Sequence, residues 1–189
     1  MRRKAFSILK KWKDNAHRMP LLVSGARQVG KTYILKEFAT TCYDSMVYIN
    51  LETNIRAAEC FLGDISPRVL LPYLEAVIGQ KVVPGKTLLI LDEIQASERA
   101  LTSLKYFAEE APEIHVAAAG SLLGVALNRK QYSFPVGKVE KLQMFPLDFE
   151  EFLWARGREM LTEQIHQAYR KQEPLPLALH QEAVRLYRE

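Results

Sequence analysis

Apolar residues along this chain fall into short unbroken runs, and between them apolar positions recur every three to four residues. That is the pattern of buried strands alternating with amphipathic helices. Met19 to Ser24 is the first run, and Gly25 closes it. Met46 to Leu51, Thr87 to Leu91 and Ile114 to Ala119 read as further buried strands, and Val139 to Phe145 as a fifth. A short amphipathic helix over Arg3 to Trp12 opens the chain. Lys31 to Ala39 sets Ile34, Leu35 and Phe38 on one side of a second helix. Ser66-Pro67 starts another, with serine as cap and proline in the first turn, and Gly79 stops it. Pro72 predicts a kink or a restart inside that helix. Ser97 to Ala111 also fits a helix, and Asn128 to Gly137, polar with Gly and Pro, reads as a loop.

Asp148 and Glu151 form a capping-box pattern ahead of Phe149, Phe152, Leu153 and Trp154. From there the pattern stays helical to the end, broken at Pro174 and Pro176. The expectation is an α/β fold with a mainly parallel sheet and helices on both faces, plus a C-terminal helical extension. It divides into an N-terminal helix (1–18), a core (19–147) and the extension (148–189).

Composition narrows the classes. With 189 residues, 48% of them apolar and 25% charged, the chain has material for one ordinary globular core. A formal charge of +4 permits a polyanion or nucleic-acid partner without demanding one. Neither a recognition helix nor an RNA-binding motif is legible. Arg2, Arg3, Lys4, Lys10, Lys11 and Lys13 concentrate the positive charge, and a solvated helix face is the simplest reading of them. Cys42 and Cys60 stand alone, and His17, His115, His166 and His180 are scattered without metal-ligand spacing. No apolar run approaches the roughly 18 residues that span a bilayer. A cytoplasmic protein with no membrane contact is expected.

Gly25-Ala26-Arg27-Gln28-Val29-Gly30-Lys31-Thr32 fits GxxxxGK[ST] at every fixed position, with a strand before it and a helix after it. Glycines let such a loop curl so that amide groups meet phosphate oxygens at the positive end of the following helix. Lys31 then serves the outer phosphates, and the Thr32 hydroxyl is a Mg²⁺ ligand. About sixty residues further on, the run Leu88 to Leu91 ends in Asp92-Glu93. Two carboxylates at the end of a buried strand need a cationic partner, because desolvation is costly. Asp92 is the candidate metal carboxylate, and Glu93 the base that orients or deprotonates the attacking water. Ser121, after the fourth strand, is a candidate for contacting the γ-phosphate or that water, or else a helix cap. Gln95 is a lesser candidate for positioning the water. Arg129, Lys130 and Lys138 are candidates for stabilising transition-state charge, within the chain or across an interface.

These segments together resemble the AAA-type P-loop ATPases of bacteria and archaea in which an N-terminal ATPase domain precedes a C-terminal domain of uncharacterised function. The likeness lies in Leu22 to Thr32, Leu91 to Gln95, Ala119-Gly120-Ser121, and Phe145-Pro146-Leu147-Asp148-Phe149-Glu150-Glu151-Phe152. It implies a P-loop NTPase-type sheet and Mg²⁺-dependent ATP hydrolysis. Where that family has Gly-Arg, this chain has Gly137-Lys138, and lysine cannot make an arginine's bidentate contacts. The chain ends at Glu189, about where the family continues into its second domain, so a truncated product is expected. The apolar positions of Leu175 to Tyr187 should then lack a full partner and favour self-association. No [NT]KxD guanine-reading motif is present, which favours ATP. Two rival readings stand beside the ATPase: a slow nucleotide switch acting on a protein partner or second domain, and a small-molecule kinase with Arg129 to Lys138 as its lid.

Overall fold

Strand formation follows the apolar runs closely. A computed structural model describes residues 2–121 and 137–188 and sets five strands side by side: β1 (Leu21–Gly25), β2 (Ser45–Asn50), β3 (Thr87–Asp92), β4 (His115–Gly120) and β5 (Glu140–Met144). Their order is β2-β3-β4-β1-β5, and every neighbouring pair is parallel. Parallel pairing requires crossovers: α2 (Lys31–Cys42) joins β1 to β2, α3 (Ile55–Glu59) and α4 (Pro67–Ile78) join β2 to β3, and α5 (Glu98–Glu110) joins β3 to β4, while α1 (Lys4–Asp14) precedes β1. The result is an α/β fold of the P-loop NTPase type.

The chain divides into two units. One is Ala5–Phe145, and the other is Met1–Lys4 together with Pro146–Glu189. In the first, β3 and β4 are buried along their whole length, as central strands covered on both faces must be. Alternation sorts their side chains between two cores. Leu89, Leu91, Val116 and Ala118 pack with α3, α4 and α5 through Ala57, Leu70, Leu74, Leu104 and Phe107. Leu88, Ile90, Ala117 and Ala119 pack with α1 and α2 through Leu9, Trp12, Ile34, Leu35 and Phe38.

In the second unit, α6 (Phe149–Ala155), α7 (Glu159–Lys171) and α8 (Leu177–Tyr187) enclose a small core of Leu153, Leu161, Ala183 and Leu186. The capping box forms as expected: Asp148 accepts from the Glu151 amide, and Glu151 accepts from the Asp148 amide. The expected unpartnered face of Leu175 to Tyr187 is only partly so. Ala183 and Leu186 are buried, while Leu177 and Tyr187 are exposed.

Three local expectations change. Of the kink or restart expected at Pro72, the restart does not occur, since α4 runs as one element through it. Pro72 and Arg68, whose carbonyl loses its helical donor, both lie on the exposed face, where water can replace the bond. Ser66 does not cap that helix through its hydroxyl. Its own amide instead donates to Asp64 Oδ1 at 2.8 Å. The basic N-terminus is more than a solvated face: Arg3 is 7% exposed and pairs with Glu151 at 3.2 Å, and Lys4 pairs with Asp148 and Glu150.

Candidate functional site

Every parallel strand delivers its C-terminal end to the same edge of the sheet, and loops there form the crevice in folds of this kind. At the end of β1 the chain must pass β5 closely. A Cβ on Gly25 would lie 2.3 Å from the Met144 carbonyl oxygen, so only glycine fits there. The loop then turns through two left-handed residues, Gln28 at φ 64° and Gly30 at φ 90°. Val29 between them is buried in the core on the α2 side and anchors the turn. The chain enters α2 directly at Lys31, with Gly30 in the cap position.

Lys31 is 7% exposed. Its Nζ donates to the Gly25 and Ala26 carbonyls, at 3.0 and 2.7 Å. Burial pulls its ammonium below the usual lysine range, and the charges of Glu93 and Asp92 oppose that shift. The adjacent Thr32 hydroxyl donates to Asp92 Oδ2 at 2.8 Å, joining the two motifs across sixty positions of sequence. Asp92 is 3% exposed. Besides Thr32, it accepts from the Tyr48 phenol at 2.8 Å and, on Oδ1, from the Glu93 amide at 3.0 Å. Burial and the bond to Asp92 push the Tyr48 phenol up to about 12.

Glu93 takes a left-handed backbone, φ 50°. Such a conformation costs a non-glycine residue about 1–2 kcal/mol. It lets the chain turn sharply out of β3 into the short 3₁₀ segment Ile94–Ala96. Gln95 Nε2 donates to Glu93 Oε2. Gln95 Oε1 and Ser121 Oγ are buried without a hydrogen-bond partner among the described residues. Arg27, Gln28, Gly30, Lys31, Thr32, Glu93 and Ser121 line one cleft of about 550 Å³, joined by Tyr33 and Glu52. That volume suits a small ligand.

Lys138 lies elsewhere. It precedes β5, whose first residue Glu140 bonds to Pro20 just ahead of β1, so it sits at the opposite edge of the sheet. It pairs there with Glu109 at 3.0 Å. A contribution to this chain's own cleft is therefore excluded. Arg129 and Lys130, and most of the loop expected over Asn128 to Gly137, fall outside the described residues.

Three residues around the site were not singled out in the sequence. Tyr48 reads there as one more apolar strand residue, and nothing in its local pattern marks it. Tyr33 directly follows the loop motif, a position that could have signalled it. Glu52 follows β2, where Asn50 Oδ1 accepts the amides of Glu52 and Thr53, both at 3.0 Å, in a side-chain-stabilised turn.

The AAA domain family model matches residues 17–153, most of the chain and all of the cleft. The chain belongs to the AAA domain family. With its P-loop and parallel sheet, it is a nucleotide-binding domain of the ATPase type. No curated protein matches it. Among solved structures, PCH-2 of C. elegans is 14% identical, with a TM-score of 0.46, over 88% of this chain and 46% of its own. The Aeropyrum pernix ORC1 protein, solved in complex with DNA, is 15% identical, with a TM-score of 0.48, over 97% of this chain and 58% of its own. This AAA domain chain thus spans about half the length of those two proteins. No helix among the described residues is long and apolar enough to cross a membrane.

Proposed function

We propose that this AAA domain binds ATP and hydrolyses its β–γ bond with the help of Mg²⁺. The observation that carries the reading is the meeting, in one cleft, of a P-loop lysine, the Thr32 hydroxyl with buried Asp92 bonded behind it, the Glu93 carboxylate and a buried serine hydroxyl. Phosphoryl transfer to water needs little covalent chemistry from the protein, so positioning and electrostatics dominate.

Thr32 Oγ1 and Asp92 Oδ2 are hard oxygen donors of the kind Mg²⁺ prefers. This ion commonly takes one or two carboxylates and completes its shell with phosphates and water. Among the described residues no group of three or more His, Cys, Asp or Glu could hold a metal unaided. A joint site with phosphate oxygens is what such a donor set fits. When bound, the ion would neutralise charge on the β- and γ-phosphate oxygens.

Lys31 would exchange its bonds to the Gly25 and Ala26 carbonyls for phosphate oxygens. The loop from Gly25 to Thr32 would supply backbone amides to the same phosphates. Glu93 would accept the proton of the attacking water, with Gln95 holding its carboxylate. Ser121 would present its hydroxyl to the γ-phosphate or to that water.

A second reading, a slow nucleotide switch, draws on the same bond between Gln95 and Glu93, since a base held by a neighbour turns over slowly until released. Self-association and a protein partner or second domain belong with that reading. Phosphate release and equilibrium affinity measured with ATP and GTP, with and without Mg²⁺, test the proposal. Mg²⁺-dependent release of phosphate from ATP is expected. Tight binding without turnover favours the switch, and no binding of either nucleotide overturns both.

A further inference from the structure

We propose that Tyr48 is a positioning residue for Asp92: its phenol holds the carboxylate in the orientation that serves the metal. The proposal rests on the nucleotide-site reading above. Strand register carries it. Tyr48 on β2 pairs with Ile90 on β3, and Asn50 with Asp92. Alternation puts Tyr48, Ile90 and Asp92 on one face of the sheet, the face that α2 covers. Tyr48 therefore reaches diagonally along the neighbouring strand, a distance that a long aromatic side chain spans.

Its phenol and the Thr32 hydroxyl donate to the same oxygen, Asp92 Oδ2, each at 2.8 Å. The other oxygen is held by the Glu93 amide at 3.0 Å. A carboxylate only 3% exposed has its orientation set by these donors rather than by water. The Glu93 amide reaches only Oδ1, and the Thr32 hydroxyl is itself a proposed metal donor, so on Oδ2 the Tyr48 phenol is the donor left to act as a holder. Tyr48 is fixed from behind: Lys36 Nζ, from α2, lies 3.6 Å from the centroid of its ring. Outer partners of this sort orient metal ligands, and their loss typically costs 10- to 100-fold in metal affinity or activity.

Y48F tests this, because it keeps the ring and the Lys36 contact and removes one hydroxyl. The probe is a fluorescent, non-hydrolysable ATP analogue, titrated in EDTA and across a Mg²⁺ series. Four chains are compared: the parent, Y48F, D92N and the double variant. We expect Y48F to need about 10- to 100-fold more Mg²⁺ for the parent's gain in affinity. Its metal-free affinity should be unchanged, and adding Y48F to D92N should cost nothing further, as for two groups acting through one contact. An unchanged Mg²⁺ requirement overturns the proposal. So does an equal fall with and without metal, which a merely structural role would give, and so does full additivity with D92N. A parent that binds the analogue in neither condition instead removes the nucleotide-site reading, and this inference with it.

Discussion

Replacing Lys31 by methionine separates two things the lysine does. Its buried ammonium donates to the Gly25 and Ala26 carbonyls at 3.0 and 2.7 Å. Hydrogen bonds to a charged group are each worth about 1.5–3 kcal/mol. Burial of that ammonium, visible in its lowered pKa, offsets a large part of the gain. A net loss of about 1–2 kcal/mol is expected, and a chain of this size loses about 2–4 °C of Tm per kcal/mol. A lysine that touched only phosphates would give no such loss. Saturating ATP behaves differently. At a hundred times Kd it stabilises the parent by about 2.7 kcal/mol, roughly 5–10 °C. If the substitution weakens binding a hundredfold, the same ATP concentration adds only about 0.4 kcal/mol, roughly 1 °C. Thermal unfolding of both chains with and without Mg-ATP reads both effects. An ATP shift equal to the parent's would remove Lys31 from the phosphate site. An unchanged Tm without nucleotide would show that the two carbonyl bonds contribute nothing.

Two further outcomes follow from packing and charge. Gly25→Ala should destabilise the AAA domain by ~2–4 kcal/mol, because its Cβ would meet the Met144 carbonyl, a backbone atom that cannot swing aside. Urea unfolding checks it, and a parental midpoint would show that β1 and β5 can part without cost. His115, 6% exposed and bonded through Nδ1 to the Tyr43 hydroxyl at 2.8 Å, has its pKa pulled down to about 4 by burial and by the charges of Arg18 and Lys13. The unfolded chain takes up a proton near pH 6.5 that the folded chain refuses, so stability is intact above that pH and falls as the pH drops toward 4. The loss should reach at most about 3 kcal/mol and should be absent in His115→Gln. Urea midpoints measured against pH test this, and equal slopes in the two chains would refute it.

The strands were legible because parallel strands buried on both faces leave continuous apolar runs, and β3 and β4 are buried throughout. β5 was legible for another reason: Leu142 and Met144 alternate with exposed residues, the mark of a strand covered on one side. Elements too short for periodicity were lost, as with α3 and the 3₁₀ segment Cys60–Leu62 that follows it. The loop motif and the acid pair could be read because glycine, lysine and adjacent carboxylates at a strand end have few structural uses. Tyr48 could not, since its importance lies in register with a strand some forty residues away. Arg3 misled for a similar reason: a partner distant in sequence, Glu151, decides whether a basic residue is solvated or buried.

In the proposed hydrolysis of ATP by this AAA domain, the two adjacent carboxylates have different tasks. Asp92, bonded to Thr32, would serve the metal in the ground state and the transition state alike. Glu93, on its left-handed turn beside Gln95, would serve only the water. Equilibrium binding and single-turnover hydrolysis of Mg-ATP on Asp92→Asn and Glu93→Gln test this directly. Asp92→Asn should lose affinity and rate together. Glu93→Gln should keep its affinity while hydrolysis slows by about 10² or more, roughly 2.7 kcal/mol of transition-state stabilisation. Hydrolysis by Glu93→Gln at the parent's rate would show that Glu93 is not the base, and loss of ATP binding in that variant would make it a metal or structural residue instead.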